Sequence, residues 1–161
     1  MIELAKARLT SLTTRVQFAI GDFRHLQELA PEAGTADVVF SAYALHHLSR
    51  SDKETVLRRM VELLVPGGWF VNADLIVADS PELESRLQEI RVTGIVERAH
   101  GSDNRFADLA STRRFLADLE KNERDQPLTL AEDLELLRTS GLKNVSAFWL
   151  EYRELVSAGQ K

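Results

Sequence analysis

The residues best suited to chemistry lie where short apolar runs stop. The stretch ADVVFSAYALHHL, residues 36–48, closes on the small residues Ser41 and Ala42, then Tyr43 and the adjacent pair His46-His47. A second run stops at Gly21-Asp22-Phe23 and a third at Asn72-Ala73-Asp74. An imidazole titrates near neutral pH, so His46 is a candidate general base, the alternative being a structural role in the loop and the following helix. Adjacent residues share neither a helical nor a strand face, so the two rings are expected to diverge and to make a poor chelate. With four histidines and no cysteine, no metal site is expected. Tyr43 and Asp74 are candidates for orienting a bound molecule, with a solvated strand end as the alternative for each.

These positions converge only if the runs are strands of one sheet. RVQFAIGD, ADVVFSA and WFVNADLIV are brief, apolar and rich in β-branched or aromatic residues, which reads as three buried strands. Ile2, Ala5, Leu9 and Leu12 fall at helical spacing. Ser51 and Glu54 fit a capping box for a helix carrying Val56, Leu57, Met60, Leu63 and Leu64 and stopped by Pro66-Gly67-Gly68. Ser80-Pro81 opens another helix, with Leu83, Leu87, Ile90 and Gly94 on one face, and GSDNR at 101–105 breaks it. A further helix runs through Leu109, Phe115, Leu116 and Leu119. Thr129 and Glu132 then cap one that ends at Gly141.

NVSAFWLEY and ELVSAG are separated by almost nothing, so they should pair as an antiparallel hairpin, because a parallel crossover needs a dozen or more residues. Alternation of strand and helix, with little in-out patterning in the early strands, points to an α/β fold: a mainly parallel, Rossmann-like sheet with helices on both faces and that hairpin at its end. In such sheets ligands bind beyond the carboxyl ends of the strands, where the residues above stand.

Composition narrows the classes. The 161 residues, 44% of them hydrophobic, suit one domain with a real core, and no internal repeat or linker divides them. No apolar run nears the ~20 residues that span a bilayer, and the N-terminus is unlike a signal peptide. With no cysteine, the cytoplasm is the expected compartment. A net charge of −5 with both signs interspersed disfavours nonspecific nucleic-acid binding.

FAIGDFRHL, ADVVFSAYALHHL, LLVPGGWFVNAD and LLRTSGLKNVSAFW, in that order and spacing, resemble the class I S-adenosylmethionine-dependent methyltransferases, particularly the small-molecule, methyltransferase-domain type. The likeness covers almost the whole chain. It implies S-adenosyl-L-methionine as cofactor, with Asp22 accepting from the adenine amino group, Phe23 along the adenine ring, and Ser41 and Ala42 at the methionine portion. It implies methyl transfer to a small-molecule acceptor near Tyr43 and Asp74, under a helical cover formed by residues 80–127. Arg91, Arg98, Arg113 and Arg114 of that cover are candidates to meet an anionic acceptor, with a solvated helix face as the alternative.

The family's glycine-rich turn has no counterpart in this sequence, and MIELAKARL matches the helix that follows the family's second strand. The resemblance therefore implies one domain, 1–161, truncated at its N-terminus. The two absent strands would lie between the strand ending at Asp22 and the one ending at Ala42. Either those two pair directly or a second chain fills the gap, so a homo-oligomer or an exchange of elements is expected. Two further readings stay open: a noncatalytic remnant acting through binding or oligomerisation, and an enzyme like those that modify a tRNA wobble uridine through a carboxylated cofactor.

Overall fold

The computed structural model describes residues 2–12, 14–29 and 32–161. Its sheet runs in the order β1 (Ala36–Ala42), β2 (Leu64–Val77), β5 (Glu154–Gln160), β4 (Lys143–Glu151), and a two-residue strand β3 (Leu128–Thr129) pairs with the far end of β2. β1 and β3 are parallel to β2, while β5 runs antiparallel to both β2 and β4. The expected hairpin is present, and the expected α/β class holds with a mixed sheet.

The helices are α1 (Ile2–Arg8), α2 (Leu26–Leu29), α3 (Arg50–Leu63), α4 (Pro81–Ala99), α5 (Leu109–Glu123) and α6 (Leu130–Thr139). On α3, Val56, Leu57, Met60 and Val61 recur at helical spacing and are buried against Phe70 of β2 and Leu136 and Leu137 of α6. Burial of each such side chain stabilises the fold by about 1.5–3 kcal/mol. The cap of α3 differs from the expected one: Ser49, not Ser51, accepts the Asp52 backbone N–H. The Thr129–Glu132 capping box of α6 and the Ser80 cap of α4 are as expected.

Two sequence expectations fail for reasons of pairing. β2 begins at Leu64, directly after α3, so Pro66-Gly67-Gly68 lie inside a strand and do not follow a helix. Their use is close approach: a Cβ on Gly68 would stand 2.9 Å from the Asp37 carbonyl oxygen of β1, where the register shifts. RVQFAIGD forms no strand. Residues 16–20 carry no regular structure, with Phe18 and Ile20 exposed. An extended segment without a neighbour gains no ladder hydrogen bonds, and β1, the sheet's terminal strand, has no neighbour on that side among the described residues.

Odd-numbered residues of β2 face away from α3 and α6. On that face Val38 and Phe40 of β1 and Phe148 of β4 are exposed, and Trp69, Val71, Val156 and Phe148 line an apolar hollow. No helix of the described residues is long and apolar enough to cross a membrane.

Candidate functional site

Parallel pairing puts the carboxyl ends of β1 and β2 side by side, with Ser41 opposite Asn72 and Ala42 opposite Ala73. Ser41 is buried and Ala42 is exposed at the sheet's free edge. Tyr43 then turns the chain out of the sheet. Its φ of 47° lies in the left-handed region, and its N–H donates to the Ala73 carbonyl at 2.9 Å. A non-glycine residue held there carries about 1 kcal/mol of strain or more, which the packed turn must offset.

A 3₁₀ turn at Leu45–His47 follows and carries the histidines. His46 is almost fully buried. Its backbone N–H donates to Asp74 Oδ2 at 3.1 Å, its ring Nδ1 pairs with Asp74 Oδ1, and its carbonyl accepts the Gln126 N–H at 2.6 Å. Asp74 is buried as well, and its Oδ1 also accepts the Leu75 N–H at 2.9 Å. It is a gripping residue, not a solvated strand end. An acceptor at Nδ1 assigns the ring proton to that nitrogen and leaves Nε2 with its lone pair. Burial pulls the His46 pKa down, but the Asp74 hydrogen bond and charge, with Asp125 and Glu123 behind them, outweigh it and leave the imidazole a stronger base than a free one.

The two histidines do not diverge. The tight turn brings their rings to 4.0 Å between centroids, and both approach one carboxylate. Asp125 Oδ1 lies 3.0 Å from His47 Nδ1 and 3.8 Å from His46 Nε2, while Glu123 Oε2 lies 3.8 Å from His47 Nε2. Asp125 follows α5, whose C-cap Arg124 adopts a left-handed φ of 57° that turns the chain back toward the site. The buried Lys53 locks this arrangement, its ammonium donating to the carbonyls of Leu48 and Gln126. Its removal from water depresses its pKa.

Tyr43, His46, Leu75, Arg91 and Leu116 line a cavity of about 200 Å³ closed by α4 and α5. The cover is tied down by Arg153. In the β4–β5 turn, this buried guanidinium donates to the Ile76 carbonyl at 3.0 Å and to Glu120 at 2.6 Å, and pairs with Glu84 at 3.0 Å. Arg91 donates to the same Glu120 at 3.2 Å, and Arg98 stands 3.8 Å from Glu151. These two are thus engaged by carboxylates, whereas Arg113 borders a groove between α4 and α5.

Asp22 and Phe23 stand elsewhere. Asp22 caps a 3₁₀ turn, accepting the Arg24 N–H at 2.9 Å and pairing with the Arg24 guanidinium, which lowers its pKa to about 2. Phe23 packs against the core beneath α3. Of the residues expected to hold a cofactor, Ala42 is exposed at the end of β1 and Ser41 is buried beside it, while Asp22 turns its carboxylate to a neighbour. Sequence reasoning missed Asp125, Glu123 and Arg153. Asp125 is more than seventy residues from its histidine partners, and Arg153 in a hairpin turn reads as a solvated charge.

A model described as a methyltransferase domain matches residues 1–68. An uncharacterised methyltransferase of Geobacillus kaustophilus is 30% identical over 103 residues, 64% of this chain and 46% of its own length. The chain spans about half the length of the curated relatives it matches. Among solved structures, an O-methyltransferase family protein from Burkholderia thailandensis superposes with a TM-score of 0.64 at 18% identity, covering 99% of this chain and 40% of that one. PigF with SAH gives 0.61 at 16% identity, with the same shares covered.

Proposed function

We propose that the chain is a methyltransferase of the class I S-adenosylmethionine-dependent kind and that it serves methyl transfer to a hydroxyl of a small molecule held between Tyr43, His46 and Arg91, a reading supported by the methyltransferase-domain match over residues 1–68 and by the shared fold. The observation that carries this reading is the buried Asp74–His46 pair at the carboxyl end of β2, whose free Nε2 borders a cavity at the sheet's ligand-binding end.

Ser41 and Ala42 would hold the methionine portion of the cofactor, and Asp22 and Phe23 its adenine once Asp22 is released from Arg24. The cofactor supplies a methyl group on a sulfonium, already a good leaving group. Alignment then accounts for much of the rate, and the protein's task is to fix the acceptor and accept its proton. Asp74 orients the His46 ring through Nδ1, so Nε2 takes the hydroxyl proton as the acceptor oxygen gains its methyl group. At about 200 Å³ the cavity has room for one small molecule. Its acidic rim of Glu120, Glu123 and Asp125 suits a neutral or cationic acceptor, and it does not favour the phosphate backbone that the tRNA-modifying reading requires. A cytoplasmic setting accords with this chemistry.

The test is transfer of labelled methyl from S-adenosylmethionine to a panel of phenols and aliphatic alcohols. The wild-type chain should label at least one of them. His46→Ala should lower kcat about 10²-fold with the fold intact, and Asp74→Asn should lower kcat with little change in KM. Equal rates in wild type and His46→Ala would remove the proton-accepting role.

A further inference from the structure

The donors around Asp125 belong to a second chemistry. We propose that one nitrogen each of His46 and His47, with a carboxylate oxygen each of Glu123 and Asp125, forms a site for a divalent transition-metal ion of the zinc class. These four donor atoms lie within 4.8 Å of one another. Four ligands in a tetrahedron about zinc at 2.0–2.1 Å stand roughly 3.3 Å apart, so the widest pair must close by up to about 1.5 Å, which rotation of the half-exposed His47 and Glu123 side chains can supply. The His47–Asp125 pair is already closer, at 3.0 Å.

Three features separate this cluster from a chance gathering of surface acids. The donor types are mixed: two imidazoles with two carboxylates match the preference of zinc and its neighbours and not the all-oxygen shells of magnesium or calcium. The inner donors are buried, with His46 at 4% exposure and the Asp125 side chain at 7%, while His47 and Glu123, at 34% and 46%, leave a path for entry. The outer shell is in place: Asp74 holds His46 Nδ1, the carboxylate–histidine arrangement that fixes a metal-ligating imidazole with Nε2 facing the ion. Among the described residues His46 Nε2 makes no hydrogen bond, and Asp125 Oδ1 stands 3.8 Å from it.

Metal binding draws on this chain's own side chains and stands whether or not the methyl-transfer reading does. If both hold, they compete, because the ion takes the Nε2 lone pair that would accept the acceptor's proton. Occupancy then inhibits methyl transfer and chelation restores it.

The test is calorimetric titration of Zn²⁺ into the chelator-treated 161-residue chain in a non-coordinating buffer, with the visible spectrum of Co²⁺ as a report on its ligands. One ion per chain is expected, with a Co²⁺ spectrum of four-coordinate type. His47→Gln and Glu123→Gln change half-exposed side chains and should keep the fold by circular dichroism, yet each should weaken binding at least tenfold. His25→Gln and His100→Gln, which alter histidines outside the cluster, should not. No saturable binding to the folded chain overturns the proposal. So does binding that His47→Gln and Glu123→Gln leave unmoved, which would mean an adventitious surface cation.

Discussion

Asp133 of α6 accepts the Ser157 hydroxyl at 2.8 Å, and burial raises its pKa above the ordinary carboxylate value, with the Ser157 hydrogen bond opposing it and Asp74 adding to it. Because the folded chain holds this proton more tightly than the unfolded one, its contribution to stability is largest below the unfolded pKa and is lost as pH rises through the folded one. Asp133→Asn keeps an acceptor for Ser157 and removes the charge. Thermal melts should therefore show the variant more stable than the wild type at neutral pH, with the difference shrinking as pH falls below the ordinary carboxylate range. At this scale the strand-end residues Ser41, Ala42, Tyr43 and Asp74 were legible, because a parallel sheet places strand ends together whatever its details. The convergence of His46 and His47 was not. It depends on a 3₁₀ turn and a left-handed Tyr43, which face-periodicity arguments do not describe.

At the scale of elements, the start of α3 offers a clean discrimination. Ser49→Ala removes the side chain that accepts the Asp52 N–H and should cost about 1 kcal/mol in denaturant unfolding, whereas Ser51→Ala should change stability by less than half of that. Equal effects would return the cap to Ser51. α3 to α6 and the terminal hairpin were readable because each carries its own local signals: a cap, an apolar stripe or a turn too short for a crossover. The stretch 16–20 carried strand signals equally well. Its failure to pair is a matter of neighbours, since a strand's hydrogen bonds belong to the adjoining strand and not to its own residues.

For the whole molecule, the free edge of β1 and the apolar face bearing Phe40, Trp69 and Phe148 bring together features that soluble chains ordinarily cover. A second copy is the occupant we expect there, adding its own edge or exchanging an element across it. Light scattering should give a mass above 18.1 kDa that rises with concentration, and Phe40→Lys, which places a charge on the exposed edge, should return it to the monomer value. A wild-type monomer at every concentration would count against this association.

Use of the methyltransferase cofactor is proposed for a chain that spans about half the length of the curated relatives it matches. Calorimetric titration of S-adenosylhomocysteine into the folded chain tests it most directly. Saturable binding is predicted, weakened about tenfold in Asp22→Ala by loss of one charged hydrogen bond, and unchanged in His46→Ala, which lies on the acceptor side. Absence of binding to a folded chain would contradict the account and leave the noncatalytic reading in its place.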